Sequence, residues 1–336
     1  MVQYAKQTWT AREGTGLNRY VKSGETSTEV TLVNSPTAIT VAGTPITTAR
    51  MRHIEDGISD GDDEIVFTEK YVSGAKNDPL LSLALGLVYR KKKELTVVKT
   101  ISVGTQPRFC CYDGTYVYVT NTDSNNVSVI NPATLTVVTT ISIGPNPRFC
   151  CYDGTYVWVA NYSSNNVSVI NPATLAVVTT ISVGTGPYGI CYDGTYVYVA
   201  NNGSANVSVI DPLTLAVVTT ISVGTQPVGA CYDGTYVYVT NYISNNVSVI
   251  DPATLAVVTT ISVGTNPRGC CYDGTYVYVA NDGSNNVSVI NPATLAVVTT
   301  ISVGTGPWGV CYDGTYVYVA NNGSNNVSVI NQSLRT

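Results

Sequence analysis

Arginine and aromatic side chains recur in this chain at a spacing of forty residues. After each of Pro107, Pro147, Pro187, Pro227, Pro267 and Pro307 stand Arg108, Arg148, Tyr188, Val228, Arg268 and Trp308. A second varied set lies fourteen or fifteen residues further on, where Asp123, Tyr162, Tyr242 and Asp282 occur. Arg, Tyr and Trp combine large contact area with directional donors, and they dominate binding hot spots. Their chemistry is recognition of a ligand by stacking and charge.

Other candidates for chemistry are weaker. Cys111, Cys151, Cys191, Cys231, Cys271 and Cys311 are equivalent by repeat, and Cys110, Cys150 and Cys270 precede three of them. A ring of thiols suggests a metal. However, Ile190, Ala230 and Val310 fill the place of the extra cysteines, which is the behaviour of a small apolar packing residue. The single histidine, His53, lies outside the repeats, so no metal and no cofactor is expected. There is no CxxC, and nine is an odd number for a disulfide framework. Asp113 and its equivalents stand in Asp-Gly turns, where turn chemistry outweighs calcium ligation. Asp123 and Asp282 are the only unrepeated carboxylates within the repeats that could form an acid/base pair.

These residues are positioned by a repeat. Forty-residue units begin at Ile101, Ile141, Ile181, Ile221, Ile261 and Ile301, and most positions are identical in every copy. Each unit has four strand-like runs, in the first copy Arg108–Tyr112, Tyr116–Asn121, Asn126–Ile130 and Leu135–Ile143. Asp113-Gly114-Thr115, the loop Thr122–Asn125 and the Asn131-Pro132-Ala133-Thr134 turn separate them. Four strands per forty residues specify a propeller blade. The fold expected is all-β: a six-bladed β-propeller of four-stranded blades, with a small α+β domain before it.

The last copy reads QSLRT after Asn331 and lacks its fourth strand. Leu95-Thr96-Val97-Val98-Lys99-Thr100 matches Leu135–Thr140 with one change, so an N-terminal strand at 95–100 is expected to complete the last blade. Strand alternation places the Pro-X segment and the Thr122–Asn125 loop on one face. Invariant tyrosines such as Tyr112, Tyr116 and Tyr118 read as inter-blade core.

The repeat resembles the YVTN family of β-propeller repeats. Those letters stand at Tyr118-Val119-Thr120-Asn121 and Tyr238-Val239-Thr240-Asn241, with YVAN in the other copies and WVAN at Trp158–Asn161. The resemblance covers about residues 95–331. It implies the propeller fold but no single function, since such propellers serve as surface proteins, binding modules and enzymes.

Residues 1–90 do not repeat and are expected to form an attachment domain, joined by a charged linker at 91–94 to the propeller at 95–336. Thr28–Val33 and Glu64–Val72 read as strands. Thr44-Pro45 reads as a helix start, with Met51, Ile54 and Ile58 as an apolar stripe. The segment from Gly43 to Ile58, GTPITTARMRHIEDGI, resembles a stretch near the start of bacteriophage tail-fibre and baseplate receptor-binding proteins. In those proteins it belongs to a virion-attachment module. The resemblance therefore implies that Met51, Ile54, Glu55 and Ile58 contact other virion or tail proteins. Arg52-His53 departs from the Asn more common there.

Charged residues make up only 12% of the chain and the net charge is −5, which argues against non-specific nucleic-acid binding. The N-terminus lacks a signal-peptide h-region, and the run from Leu80 to Tyr89 is too short to span a bilayer. Neither nucleic acid nor membrane insertion is expected. The function expected is that of a virion-associated tail-fibre, baseplate or surface protein on a phage or phage-like particle. It would be made in the cytoplasm, act outside the cell, assemble as a homo-oligomer, and bind a host glycan or protein through Arg108, Arg148, Tyr188, Val228, Arg268, Trp308, Asp123, Tyr162, Tyr242 and Asp282. The alternatives are a structural decoration or surface-layer protein, in which the rim drifts freely, and a propeller lactonase, lyase or glycan hydrolase. An enzyme is not expected.

Overall fold

A computed structural model describes the strands Thr8–Arg12, Arg19–Ser23, Ile39–Thr40, Glu64–Lys70 and Ala84–Arg90, and residues 98–331 continuously. The chain divides into two compact units, Met1–Val98 and Lys99–Thr336. In the first, Thr8–Arg12 pairs antiparallel with Arg19–Ser23, and Ala84–Arg90 lies between Ile39–Thr40 and Glu64–Lys70. The strand expected from Glu64 is therefore present. The strand at Thr28–Val33, the helix after Thr44, the linker 91–94 and the attachment residues Met51, Ile54, Glu55 and Ile58 lie outside the described residues.

The second unit is a six-bladed, all-β propeller. Blade 1 runs Pro107–Tyr112, Val117–Asn121, Asn126–Asn131 and Thr136–Ser142, paired antiparallel in chain order, and the next four blades repeat it forty residues apart. Among the described residues no helix is long and apolar enough to cross a membrane.

The turns explain the strand limits. Asp113 accepts hydrogen bonds at Oδ1 from the backbone N–H of Thr115 and Tyr116, both at 2.6 Å, and Gly114 takes φ +95°. At the other turn Leu135 donates its N–H to Asn131 O at 2.8 Å and adopts φ +53°. The left-handed leucine ends the turn, so strand four begins at Thr136 and not at Leu135.

Five hydrophobic clusters join the blades in sequence. In the first, Tyr118, Val127 and Val129 of blade 1 pack on Cys150, Val157, Val159 and Ile170 of blade 2. The tyrosine ring is buried while its hydroxyl donates to Asp113 Oδ2 at 2.8 Å, so the turn carboxylate also satisfies the core phenol. The cysteines are likewise packing residues: Cys150 lies inside this cluster, its Sγ 3.9 Å from Tyr118 O.

Blade 6 has three described strands, Pro307–Tyr312, Tyr316–Asn321 and Asn326–Asn331. Of the segment expected to close the last blade, 95–97 lies outside the described residues, 98–100 carries no strand, and Val98 is 84% exposed. In blades 1 to 4 strand four buries one side chain, as at Ile141, while its valines stay half exposed. The blade 6 face is open. Val327 and Val329 are 57% and 55% exposed, where Val127 and Val129 are fully buried.

Thiol reactivity reads this seam. Cys110 and Cys311 border it and are exposed, whereas Cys150 and Cys191 are buried. Burial, the largest cause in each, raises the pKa of Cys150, Cys151 and Cys191 well above the ordinary thiol value, and it raises Cys110 and Cys311 too. The thiolate is the reactive form, so labelling by iodoacetamide should be slow at neutral pH and quicken as pH rises. Peptide mapping should find Cys110 and Cys311 modified first. Protection of these two to the level of Cys150 would mean that the seam is sealed.

Candidate functional site

The same local device builds the rim in every blade. The residue before each Pro is left-handed, with φ between +53° and +63° from Gln106 through Gly306. Gln, Asn and Gly vary there among types that tolerate the conformation. The ladder between strands one and two then shifts register just after the Pro, between Pro147 and Cys150 in blade 2. The varied residue Arg148 therefore lies in a β-bulge, which frees its side chain from strand alternation. Backbone bonds join this segment to the loop between strands two and three: Tyr162 N–H donates to Asn146 O at 3.0 Å, and Ser163 N–H to Pro145 O at 3.3 Å. Beneath the loop the buried Asn161 amide donates to Asn166 Oδ1 and Ser168 Oγ, both at 2.8 Å. The invariant Asn of the repeat is thus a brace for the varied loop.

Arg108, Arg148, Tyr188, Val228, Arg268 and Trp308 all line one cavity of about 440 Å³, together with Phe109 and Phe149. Guanidinium groups and rings interleave around it. The Arg148 Cζ lies 5.1 Å from the Tyr162 ring centre and 5.3 Å from that of Tyr188. The Arg268 Cζ lies 4.6 Å from the Tyr242 ring and 4.2 Å from Trp308, and Arg108 approaches Trp308 at 5.7 Å. Contacts of this length are attractive through the ring quadrupole.

The arginines differ in what they have left to offer. Arg268 Nε donates to Asp282 Oδ2 at 2.7 Å, and its Nη2 reaches the Tyr242 hydroxyl at 3.4 Å. Arg148 has a buried Nε without a hydrogen-bond partner. Desolvation lowers the pKa of Arg148 and the charge of Arg108 lowers it further, against the opposing pull of Tyr188, Tyr162 and Asp123. Asp123 is exposed and acts on this group through its field.

Six of the ten residues expected at the rim therefore line one cavity, Tyr162, Tyr242 and Asp282 contact its arginines, and Asp123 is not among its lining residues. Phe109 and Phe149 were missed. Their rings stack with centroids 3.9 Å apart, and Phe149 lies 5.6 Å from Tyr188. Their signal was legible one position along from the varied residue, where the six copies read Phe, Phe and then four Gly. Three of those glycines have a steric reason. A Cβ on Gly189, Gly229 or Gly269 would lie 2.2, 2.3 or 2.6 Å from a backbone oxygen of the next blade.

A family model described as a domain of unknown function (DUF5074) matches residues 148–267, about a third of the chain. No curated protein matches the chain significantly. Among solved structures, the WD40 β-propeller domain of Doa1 aligns at 10% identity and TM-score 0.60, covering 69% of this chain and 81% of that one. A functionally unknown protein from Desulfotomaculum acetoxidans aligns at 16% identity and TM-score 0.57, covering 65% and 79%. Hydrazine synthase of Kuenenia stuttgartiensis aligns at 21% identity and TM-score 0.49, covering 72% and 99%. The likeness is one of propeller fold.

Proposed function

We propose that this chain is a virion-associated tail-fibre, baseplate or surface protein of a phage or phage-like particle, and that its propeller binds a host surface glycan at the varied rim. One observation carries the reading: positions at which near-identical repeats differ gather around a single cavity, and Arg108, Arg148, Tyr188, Arg268, Trp308, Phe109 and Phe149 stand among them. Drift in solvent loops would scatter polar substitutions over the rim, whereas stacked rings and guanidinium groups make a recognition surface. The resemblance of residues 43–58 to virion-attachment segments supports the particle, and assembly through residues 1–90 supplies many copies of a weak site.

We read the site as one of binding and not of turnover. Its cationic groups are guanidiniums, which orient an anion but do not exchange protons near neutral pH. The Asp282 carboxylate is engaged by Arg268. Replacing Trp308 and Tyr188 by Ala should weaken binding to the target cell about thirtyfold or more for the pair, the effect of losing one hot-spot anchor. Cell pull-down with labelled protein checks this, and unchanged binding removes the rim from consideration. The structural-decoration alternative predicts that unchanged result and a regular lattice of copies.

A further inference from the structure

The cavity is electrostatically lopsided. On the side of blades 4 to 6, Arg268 is neutralised by Asp282 and hydrogen-bonded to Tyr242. On the side of blades 1 to 3, Arg108 and Arg148 stand on adjacent blades, and no described carboxylate lies within ion-pair distance of Arg148. Burial lowers the pKa of Arg148 most, and the like charge of Arg108 lowers it further, against the opposing pull of Tyr188, Tyr162 and Asp123. The protein around them has a net charge of −5, so this pair is a local exception.

The geometry of Arg148 narrows what could relieve it. Tyr162 and Tyr188 lie against the guanidinium, which lines the cavity while its Nε is shut off from solvent. The buried Nε is a donor without an acceptor, so the charge of this group is incompletely matched. An oxyanion in the cavity would accept from the terminal guanidinium nitrogens and lie between the two charges. Beside it the stacked Phe109 and Phe149 and the buried Val228 form an apolar floor suited to the C–H face of a ring.

We propose that this cavity takes an acidic sugar, with the carboxylate held by Arg148 and Arg108 and the ring face lying on Phe149 and Tyr188. This rests on the reading of the rim as a glycan-binding face and adds the charge of the ligand. Fixed cations with aromatic neighbours in a partly dry site discriminate strongly against a neutral sugar, which would leave the two guanidinium charges unmatched.

The test uses the full chain and three probes: trigalacturonate, its methyl ester, and inorganic phosphate, each titrated by calorimetry. The acid should bind at least about tenfold more tightly than the ester, with affinity falling as salt is raised. Arg148→Met keeps the aliphatic stem and should remove that difference, whereas Arg148→Lys should restore only part of it because a point charge cannot copy the planar edge. Equal binding of acid and ester by the unaltered chain overturns the proposal without reference to any variant, and leaves the glycan-binding rim standing. Phosphate bound as tightly as trigalacturonate also overturns it, since the sugar ring would then add nothing. If none of the three probes binds, the acidic-sugar site falls, and the cell-binding result with Trp308 and Tyr188 replaced decides separately whether the rim reading falls with it.

Discussion

Gly229→Ala should lower the stability of the propeller by about 1–3 kcal/mol, while Gly309→Ala, the same change at the equivalent place, should be nearly neutral. The added Cβ of residue 229 would lie 2.3 Å from Arg268 O and 3.0 Å from Thr240 Oγ1. The first of these is backbone of the next blade, so the inner strands must shift to admit it, as they do where Phe149 occupies the equivalent place in blade 2. That shift disturbs the hydrophobic cluster beyond them and the bulge that carries Arg268. At Gly309 a Cβ meets nothing within 4 Å, because the neighbouring position is the open seam and not a packed blade. Thermal unfolding should show a shift of about 2–12 °C for the first variant and little or none for the second. Equal damage from both would mean that blade 6 packs on blade 1 as closely as every other pair.

Trp158→Ala should cost about 3–5 kcal/mol, the usual penalty for emptying a large aromatic site in a core. Trp158 is fully buried and stands where the other copies have tyrosine. The two side chains do the same polar work. Trp158 Nε1 donates to Asp153 Oδ2 at 2.7 Å, and Tyr198 hydroxyl donates to Asp193 Oδ2 at 2.8 Å. Trp158→Tyr should therefore cost no more than about 1 kcal/mol, because the donor is kept and only volume is lost. Trp158→Phe fills a similar space without a donor and should cost roughly 1–3 kcal/mol more than the tyrosine variant. Urea unfolding of the three variants gives the order directly. A phenylalanine variant as stable as the tyrosine one would remove the Asp153 bond from the account.

The blade was legible in the sequence because its determinants are local. The Asp-Gly turn, the Tyr-Val alternation and the Asn-Pro turn each act within a few residues, and the strand limits read from them agree with the structure to within a residue or two. The closing segment LTVVKT carries the alternation of a fourth strand, and its first three residues lie outside the described residues, so that agreement does not extend to it. The rim followed from disagreement among copies, which identifies Arg148 and Trp308 without any coordinates. The division of labour among the arginines did not. Arg148 and Arg268 are the same letter at the same repeat position, and only the contact of Arg268 with Asp282, against the lone Nε of Arg148, separates them. Phe149 stands one position beyond the residue after each Pro, and only two of the six copies carry a ring there.

The five joints between blades are built from the same residues, and the face left open on blade 6 is one more copy of the face that every other blade buries. No joint records how many came before it. A recombination event that inserted or removed forty codons in frame would keep the residues of each surviving joint, and would be felt as a change in the angle between neighbouring blades around the axis. The same event would add or delete one Pro-X position at the rim. Blade number and rim composition are thus inherited as a single variable, so the lineage can alter the rim by counting as well as by substitution.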